Sequence, residues 1–517
     1  MAEKESWLDR MISAVSPQWG LERLKARRLH NLYRSARSSR QRQDVPLDGG
    51  SADRDTQWAA MTLAQKARYF DQNNEHIGGG ADFFQAYTVG PGIRTEPLIK
   101  RRDGTPHTEL NEQIKVKWRA FMKRPDISGR YTGARLQRLL ARTYFREGEF
   151  FLRFFEGRQY PHHTEIPLSV EVLELDQLPH SLNDRAKNIV QGIELSKHKA
   201  ALAYHFYKRH PGDVLHPGGR ETVRVAAQDV LHLAYTKRLN QKRGVSQLHS
   251  VMERAQDVDD IDRFELAAAK QGASMGLAIH RTADYTPDMD EHNNPIERPQ
   301  ITKFWPGMVL DGLDIGEEAH MLSPNGRPNP HLEPFRDGHL RAMAAGTGLP
   351  WAAYSRKYTG TYSSERQARV DGHLMLEVHA QDIVDDLEQP MYERFLKAAV
   401  LYGEVEIPWE EIDPATIYNA SHKTPQMPWI DPMKEVRAKE LLVQAGFDSR
   451  SNQIRAMGRN PDDVRQELRM ENELDEQMGM SFTTSPDGIP DNVPNTSNVS
   501  DSGKSSEAQV PANKSAG

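Results

Sequence analysis

Two clusters of ionisable residues in this chain have the composition to do chemistry. The stretch DVDDIDRFE places Asp257, Asp259, Asp260, Asp262 and Glu265 within one short segment. Carboxylates this dense could ligate a divalent cation, as a metal-dependent nuclease requires. They are, however, interleaved with Val258 and Ile261, which at helical spacing describes a wet acidic face beside an apolar one rather than a convergent cage. The second cluster is YSRKYTGTYSS, residues 354–364. It holds Arg356, Lys357, Tyr358, Thr359 and Tyr362 in a polar loop between two helical stretches. On composition alone it reads as an ordinary solvated loop.

The usual signatures of catalysis are missing from the sequence. There is no GxSxG elbow, no Walker A lysine and no GxGxxG behind a strand. The chain has 20 histidines, but PHHTE (161–165) lies in a proline-bounded turn, and no HExxH pair shares a helical face. Zero cysteines exclude disulfides, thiolate zinc sites and cysteine nucleophiles together. No catalytic residue, cofactor or metal is therefore expected, and the reading is of a non-enzymatic protein.

Composition sets the frame for these clusters. With 517 residues the chain is long enough for two to four domains. It is 37% hydrophobic and 27% charged, with a formal net charge of −6, so no global basic footprint marks it as a small DNA-binding domain. The mean hydropathy of −0.72 fits a soluble, rather polar protein, part of whose surface is either irregular or buried only against partner subunits. No run approaches the roughly 18 apolar residues of a membrane span, and no secretory segment opens the chain. A soluble protein made inside a cell is expected. Charge is uneven along the chain. Residues 1–43 carry Lys4, Arg10, Arg23, Lys25, Arg27, Arg28, Arg34, Arg37, Arg40 and Arg42 against Glu3, Glu5, Asp9 and Glu22. This basic arm suits either an acidic partner or nucleic acid, or else is a solvated tail.

The elements that must position the two clusters can be read from periodicity. A helix is predicted over 56–76, with Trp58, Met61, Leu63, Ala67 and Phe70 on its apolar side, and the GGG at 78–80 interrupts it. Helices follow over 108–124 and 132–146. In the latter, Leu136, Leu139, Leu140 and Tyr144 form the stripe and the arginines face out. Alternation then predicts strands at 150–156, 168–175, 190–195, 201–207 and 229–235. From Ser246, a candidate N-cap, a long helix carries the acidic cluster, with Leu248, Val251, Ala255, Val258, Ile261, Phe264 and Ala268 on one side. Residues 278–330 are irregular, rich in proline and short-stranded. A helix over 333–346 precedes the Tyr/Arg loop. After it, a rod of about 39 Å over 363–389 is capped by Ser363 or Ser364 and broken or kinked by Pro390. A small helical unit ends near 479, and 480–517 have the composition of a disordered tail. The fold class is α+β and multi-domain.

Particular segments carry a resemblance. REGEFFLRF (146–154), VEVLELDQLP (170–179), VQGIEL (190–195), QDVLHLAYTKRLNQKRGVSQL (228–248), GLPWAAYSRKYTGTYSSERQARVD (348–371) and WIDPMKEVRA (429–438) resemble, in content and order, the lambda-type portal proteins of tailed bacteriophages. The resemblance covers about 56–475. It implies a ring of about twelve subunits at one capsid vertex, the head–tail connector through which double-stranded DNA is packaged and ejected. It also implies a virion protein made in the bacterial cytoplasm, without membrane contact. Its implied partners are the terminase large subunit, major capsid and scaffold proteins, and neck or head completion proteins. The segments then divide as a basic arm (1–55), a wing region (56–245), a first stem helix (246–277), a clip (278–330) and a second stem helix (331–347). A tunnel loop (348–362), a long wing helix with its return (363–428), crown helices (429–479) and the tail (480–517) complete the chain. On this division the acids at 257–265 line the channel and repel phosphate, while Arg356, Lys357, Tyr358, Thr359 and Tyr362 face DNA. Two rivals are another head–tail joining or minor capsid protein, and the metal-dependent nuclease already considered.

Overall fold

A computed structural model describes residues 50–213, 220–273, 276–286, 289–292, 315–322, 330–358, 360–426, 432–457 and 459–478. The basic arm up to residue 49, most of the irregular 278–330 stretch, Thr359 and the 480–517 tail lie outside them.

Two helices open the described chain, α1 (Ala52–Asn73) and α2 (Glu75–Thr88). Ser51 caps α1 by accepting from the Arg54 amide, the role its short hydroxyl suits best. The buried face of α1 is built from Ala52, Thr56, Ala60, Ala64, Ala67 and Phe70, so small side chains bring neighbouring backbones close. Trp58, expected in that face, is 79% exposed. The glycine triplet does not interrupt a helix: Gly78–Gly80 lie inside α2, which is continuous across them.

A short strand, β1 (Arg94–Pro97), leads to α3 (Thr108–Phe121) and α4 (Gly133–Glu147). Leu136, Leu140 and Tyr144 of α4 are buried as the pattern requires, but Leu139 is not. The arginines of α4 do not all face water. Arg142 and Arg146 share the carboxylate of Asp71 on α1, and Arg146 also meets Glu147. Paired in this way, a guanidinium can lie against the body without its charge going unmet.

The β-rich region forms two antiparallel sheets. β2 (Glu149–Glu156) is the centre of the first, flanked by β3 (Leu168–Leu173) and a later strand at Val230–Ala234. Its FFLRFF run serves two cores by alternation. Phe150, Leu152 and Phe154 join the main hydrophobic cluster, and Phe151 points into a smaller one with Leu173, Tyr204 and Phe206. The second sheet runs in the order β4 (Ile189–Val190), β5 (Ile193–Leu195), β6 (Ala201–Tyr207), β7 (Thr222–Ala226). VQGIEL is thus a hairpin rather than one strand. Gln191 and Gly192 both take positive φ, 50° and 82°, the geometry of the two-residue turns that match strand twist. β7 has no counterpart among the expected strands, because TVRVA alternates too briefly to stand out. β8 (Val230–Ala234) closes the first sheet.

The acidic helix, α5 (Met252–Ala273), begins later than expected. Ser246 caps a preceding turn instead, accepting from the Leu248 amide at 3.1 Å. Beyond α5, β9 (Gly276–Thr286) and β10 (Ile315–Leu322) pair as an antiparallel ribbon, longer strands than the short ones expected in this stretch. The next helices are α6 (Leu332–Thr347), α7 (Trp351–Ser355) and α8 (Tyr362–Ile383). Thr361, not Ser363 or Ser364, caps α8, accepting from the Ser364 amide.

Pro390 does not break the rod. One wide π turn (Val384–Glu388) joins α8 to α9 (Gln389–Leu401). Proline has no N–H to return to the preceding turn, and the widened turn absorbs the mismatch. The helical run from Tyr362 to Leu401 therefore spans about 60 Å at 1.5 Å per residue. β11 (Ala420–Lys423) returns to pair with β1. Three further helices, α10 (Pro432–Gln444), α11 (Arg450–Ala456) and α12 (Pro461–Met478), form a small unit tied to α3 through Lys115 and Asp463 at 2.7 Å. Among the described residues no helix is long and apolar enough to cross a membrane.

Candidate functional site

The Tyr/Arg loop is anchored by what precedes it. α7 ends at Arg356, whose φ of 52° and ψ of 20° place a non-glycine residue in the left-handed region, where a Cβ crowds the following carbonyl. Tyr354, just before, is buried and donates its hydroxyl to Thr347 Oγ1 at 2.8 Å. Burial pushes its phenol well above the usual tyrosine range, so it stays neutral. Its ring lies against Gly80, where an added Cβ would sit 2.7 Å from Cε1. The glycine triplet thus admits the base of the loop rather than a phosphate.

The loop's two cations differ. Arg356 is exposed, reaches only the Gly79 carbonyl at 3.4 Å, and has no carboxylate partner among the described residues. Lys357 turns back onto α6, where Nζ meets Glu333 and lies 3.1 Å from Asp337. These hydrogen bonds, Glu333 first, raise its pKa and keep the amine charged. Tyr358 is 57% exposed and stacks against the Arg369 guanidinium of α8, 5.7 Å from the ring centroid. It stands at the edge of a cavity of about 120 Å³ that Phe83, Tyr87, Trp351 and Leu376 also line. Tyr362 opens α8, and Thr359 lies outside the described residues.

The five acids of α5 do not form one wet face. Asp257 is exposed, whereas Asp259, Asp260, Asp262 and Glu265 are half-buried. Asp259 accepts from the Asn74 side-chain amide at 2.9 Å, and Asp262 pairs with Arg336 of α6 at 3.1 Å. At 100° per residue, acids spread over nine positions point around the whole helix, so some meet the body. The apolar side is buried from Leu248 to Val258, but Phe264 is exposed.

Sequence reasoning missed two ionic groups. Arg243 and Glu149 are both fully buried and 2.6 Å apart. Arg243 also donates to the carbonyls of Leu178 and Gln191, while Glu149 accepts from the Gly244 amide and contacts His232 at 3.1 Å. Burial alone would raise the Glu149 pKa, but Arg243 and His232 together hold it well below the usual carboxylate range. The other group, Glu174, Asp176 and His210, gathers three potential metal ligands within 4.8 Å of one another. Arg68 already occupies the Asp176 carboxylate, so a guanidinium stands where a cation would bind.

A sequence profile described as "Phage portal protein, lambda family" matches residues 38–379, about two-thirds of the chain. The chain belongs to that family. A probable portal protein of Halomonas phage phiHAP-1 is 25% identical over 438 residues, covering 81% of each chain. Among solved structures, the neck of an empty GTA particle covers 82% of this chain and 97% of its own, at 13% identity and a TM-score of 0.44. An HK97 family phage portal protein from Corynebacterium diphtheriae covers 73% and 96%, at 10% identity and a TM-score of 0.33. As a portal protein the chain is a phage virion component with an α+β, multi-domain architecture.

Proposed function

We propose that copies of this portal protein form a closed ring at one capsid vertex, that duplex DNA passes through the ring during packaging and ejection, and that the 354–364 loop faces that DNA. A ring of twelve is the working stoichiometry. Terminase large subunit, then neck or head completion proteins, dock on it, and capsid and scaffold proteins surround it. The chain hydrolyses nothing in this scheme. The observation that carries the reading is the double apolar character of α8. Gly372, Leu376, Ala380 and Ile383 pack on the body of the chain, and the opposite face exposes Leu374 and Val378. An apolar stripe left to solvent on a long helix marks a protein–protein contact, and identical copies related by rotation cover each other's stripes when the ring closes.

Arg356 and Lys357 meet phosphate without reading sequence, since duplex DNA carries one charge per about 1.7 Å of axis. The α5 acids keep the channel wall from holding it too tightly. Negative-stain microscopy of the purified chain tests the reading. Rings with an open centre are expected, and Leu374→Asp with Val378→Asp should leave folded subunits that no longer close them. Monomers of the unaltered chain at high concentration would sink it.

A further inference from the structure

We infer that the loop is held against the preceding helix by an ionic latch, Lys357 bridging Glu333 and Asp337 of α6, which a polyanion or salt opens. Glu333 and Asp337 are four residues apart, one helical turn, so both carboxylates face the same way and converge on one amine. The residue before the latch is the left-handed Arg356, a conformation that costs a side-chain-bearing residue and that a constraint downstream must maintain. The residue after it, Tyr358, is held over the cavity by Arg369. Three consecutive residues therefore carry a strained pivot, a tether and a ring seated on a cation. The tether is weak by construction. Glu333 is 72% exposed, Lys357 33% and Asp337 21%, so water and salt screen the group, and opening it strands no fully buried charge.

The latch deepens the DNA-facing reading of the loop and, for its consequence, rests on it. While the latch is closed, Arg356 is the one loop cation without a carboxylate partner among the described residues, so a passing duplex meets one charge per subunit rather than two. A phosphate that draws Lys357 away uncovers Glu333 and Asp337, whose charges repel the same backbone. Each loop thus yields to DNA without gripping it.

Hydrogen exchange of the loop amides in the full assembled chain tests the latch. Glu333→Gln with Asp337→Asn should speed exchange at 356–358 about five-fold, the population shift equivalent to an exposed pair. About 1 M salt should do the same to the unaltered chain, and it should leave Lys357→Met, already unlatched, unchanged. Glu333 and Asp337 lie on the surface side of α6, and near-ultraviolet dichroism checks that the variants fold. Exchange indifferent to both the double substitution and salt would overturn the latch. Binding of a short duplex separates the two ideas. Tighter binding by the double variant, with a salt slope steeper by about one, supports both. Faster exchange with unaltered DNA binding supports the latch and overturns the DNA-facing loop.

Discussion

The β-rich hub and the loop after α6 use the same pairing, a cation against carboxylate, to opposite ends. At the hub, Arg243 and Glu149 are wholly out of water, and backbone carbonyls, the Gly244 amide and His232 meet their other donors and acceptors. In such surroundings a charge cannot be left behind, so the pair fixes how the loop at 240–245, the second sheet and β2 meet. At the loop, Lys357 and its two acids remain in contact with solvent, and the pair can part at small cost. What separates an architectural ion pair from an adjustable one is the dielectric around it and not the residues that compose it.

The largest effect should come from breaking the hub. Arg243→Met strands a buried carboxylate and is expected to destabilise the fold by about 3–5 kcal/mol, read by thermal unfolding. Adding Glu149→Gln should recover part of that, since no uncompensated charge then remains. A loss under about 1 kcal/mol would place the hub in the same class as the loop.

Glu388 offers a second, pH-dependent contrast within the interior. It sits in the π turn, fully buried, accepting from the Gln137 amide at 2.5 Å, and burial pushes its carboxyl up to about 7 from 4.5. A raised folded-state pKa means the protonated form belongs to the fold. Its contribution is intact below about pH 4.5 and is lost as pH rises through about 7. Glu388→Gln keeps the shape and removes the titration, so the variant should gain on the unaltered chain by up to about 3 kcal/mol between acid and about pH 8. Parallel stability–pH curves for the two proteins would refute this.

How much of this was legible in the sequence follows from the range of each interaction. The helices over α3 and α4 and the alternation of β2, β3 and β6 are local, and these elements appear close to where the pattern puts them. Trp58 misleads because bulk reads as burial, whereas α1 packs through alanines that carry no such signal. GGG suggested a break because glycine is a poor helix former, and only the Tyr354 ring across from Gly80 explains it. The α5 acids were assigned to water, yet the partners of Asp259 and Asp262 come from residues 74 and 336, at no distance a local pattern can show. Arg243 and Glu149 are equally remote. The loop itself was found by composition, and its internal partners on α6 were not, since carboxylates some twenty residues upstream are unremarkable in a chain this rich in charge.

The smallest effect is the sharpest test of the contrast. Lys357→Met removes a charge from an ion pair as surely as Arg243→Met does, but it leaves behind acids that water can solvate. Its cost to global stability in urea should therefore be small beside that of Arg243→Met and shrink further as salt is raised. Glu333 is the more exposed of the two acids, so most of what is lost should belong to Asp337, and Asp337→Asn alone should reproduce most of the Lys357→Met cost. If Lys357→Met instead costs as much as the hub variant, the loop is a structural brace, solvent has no access to it in the assembled chain, and the difference between the two regions disappears. A salt-dependent loss of the small size expected ties the loop's behaviour to its exposure, the one property that the two pairings do not share.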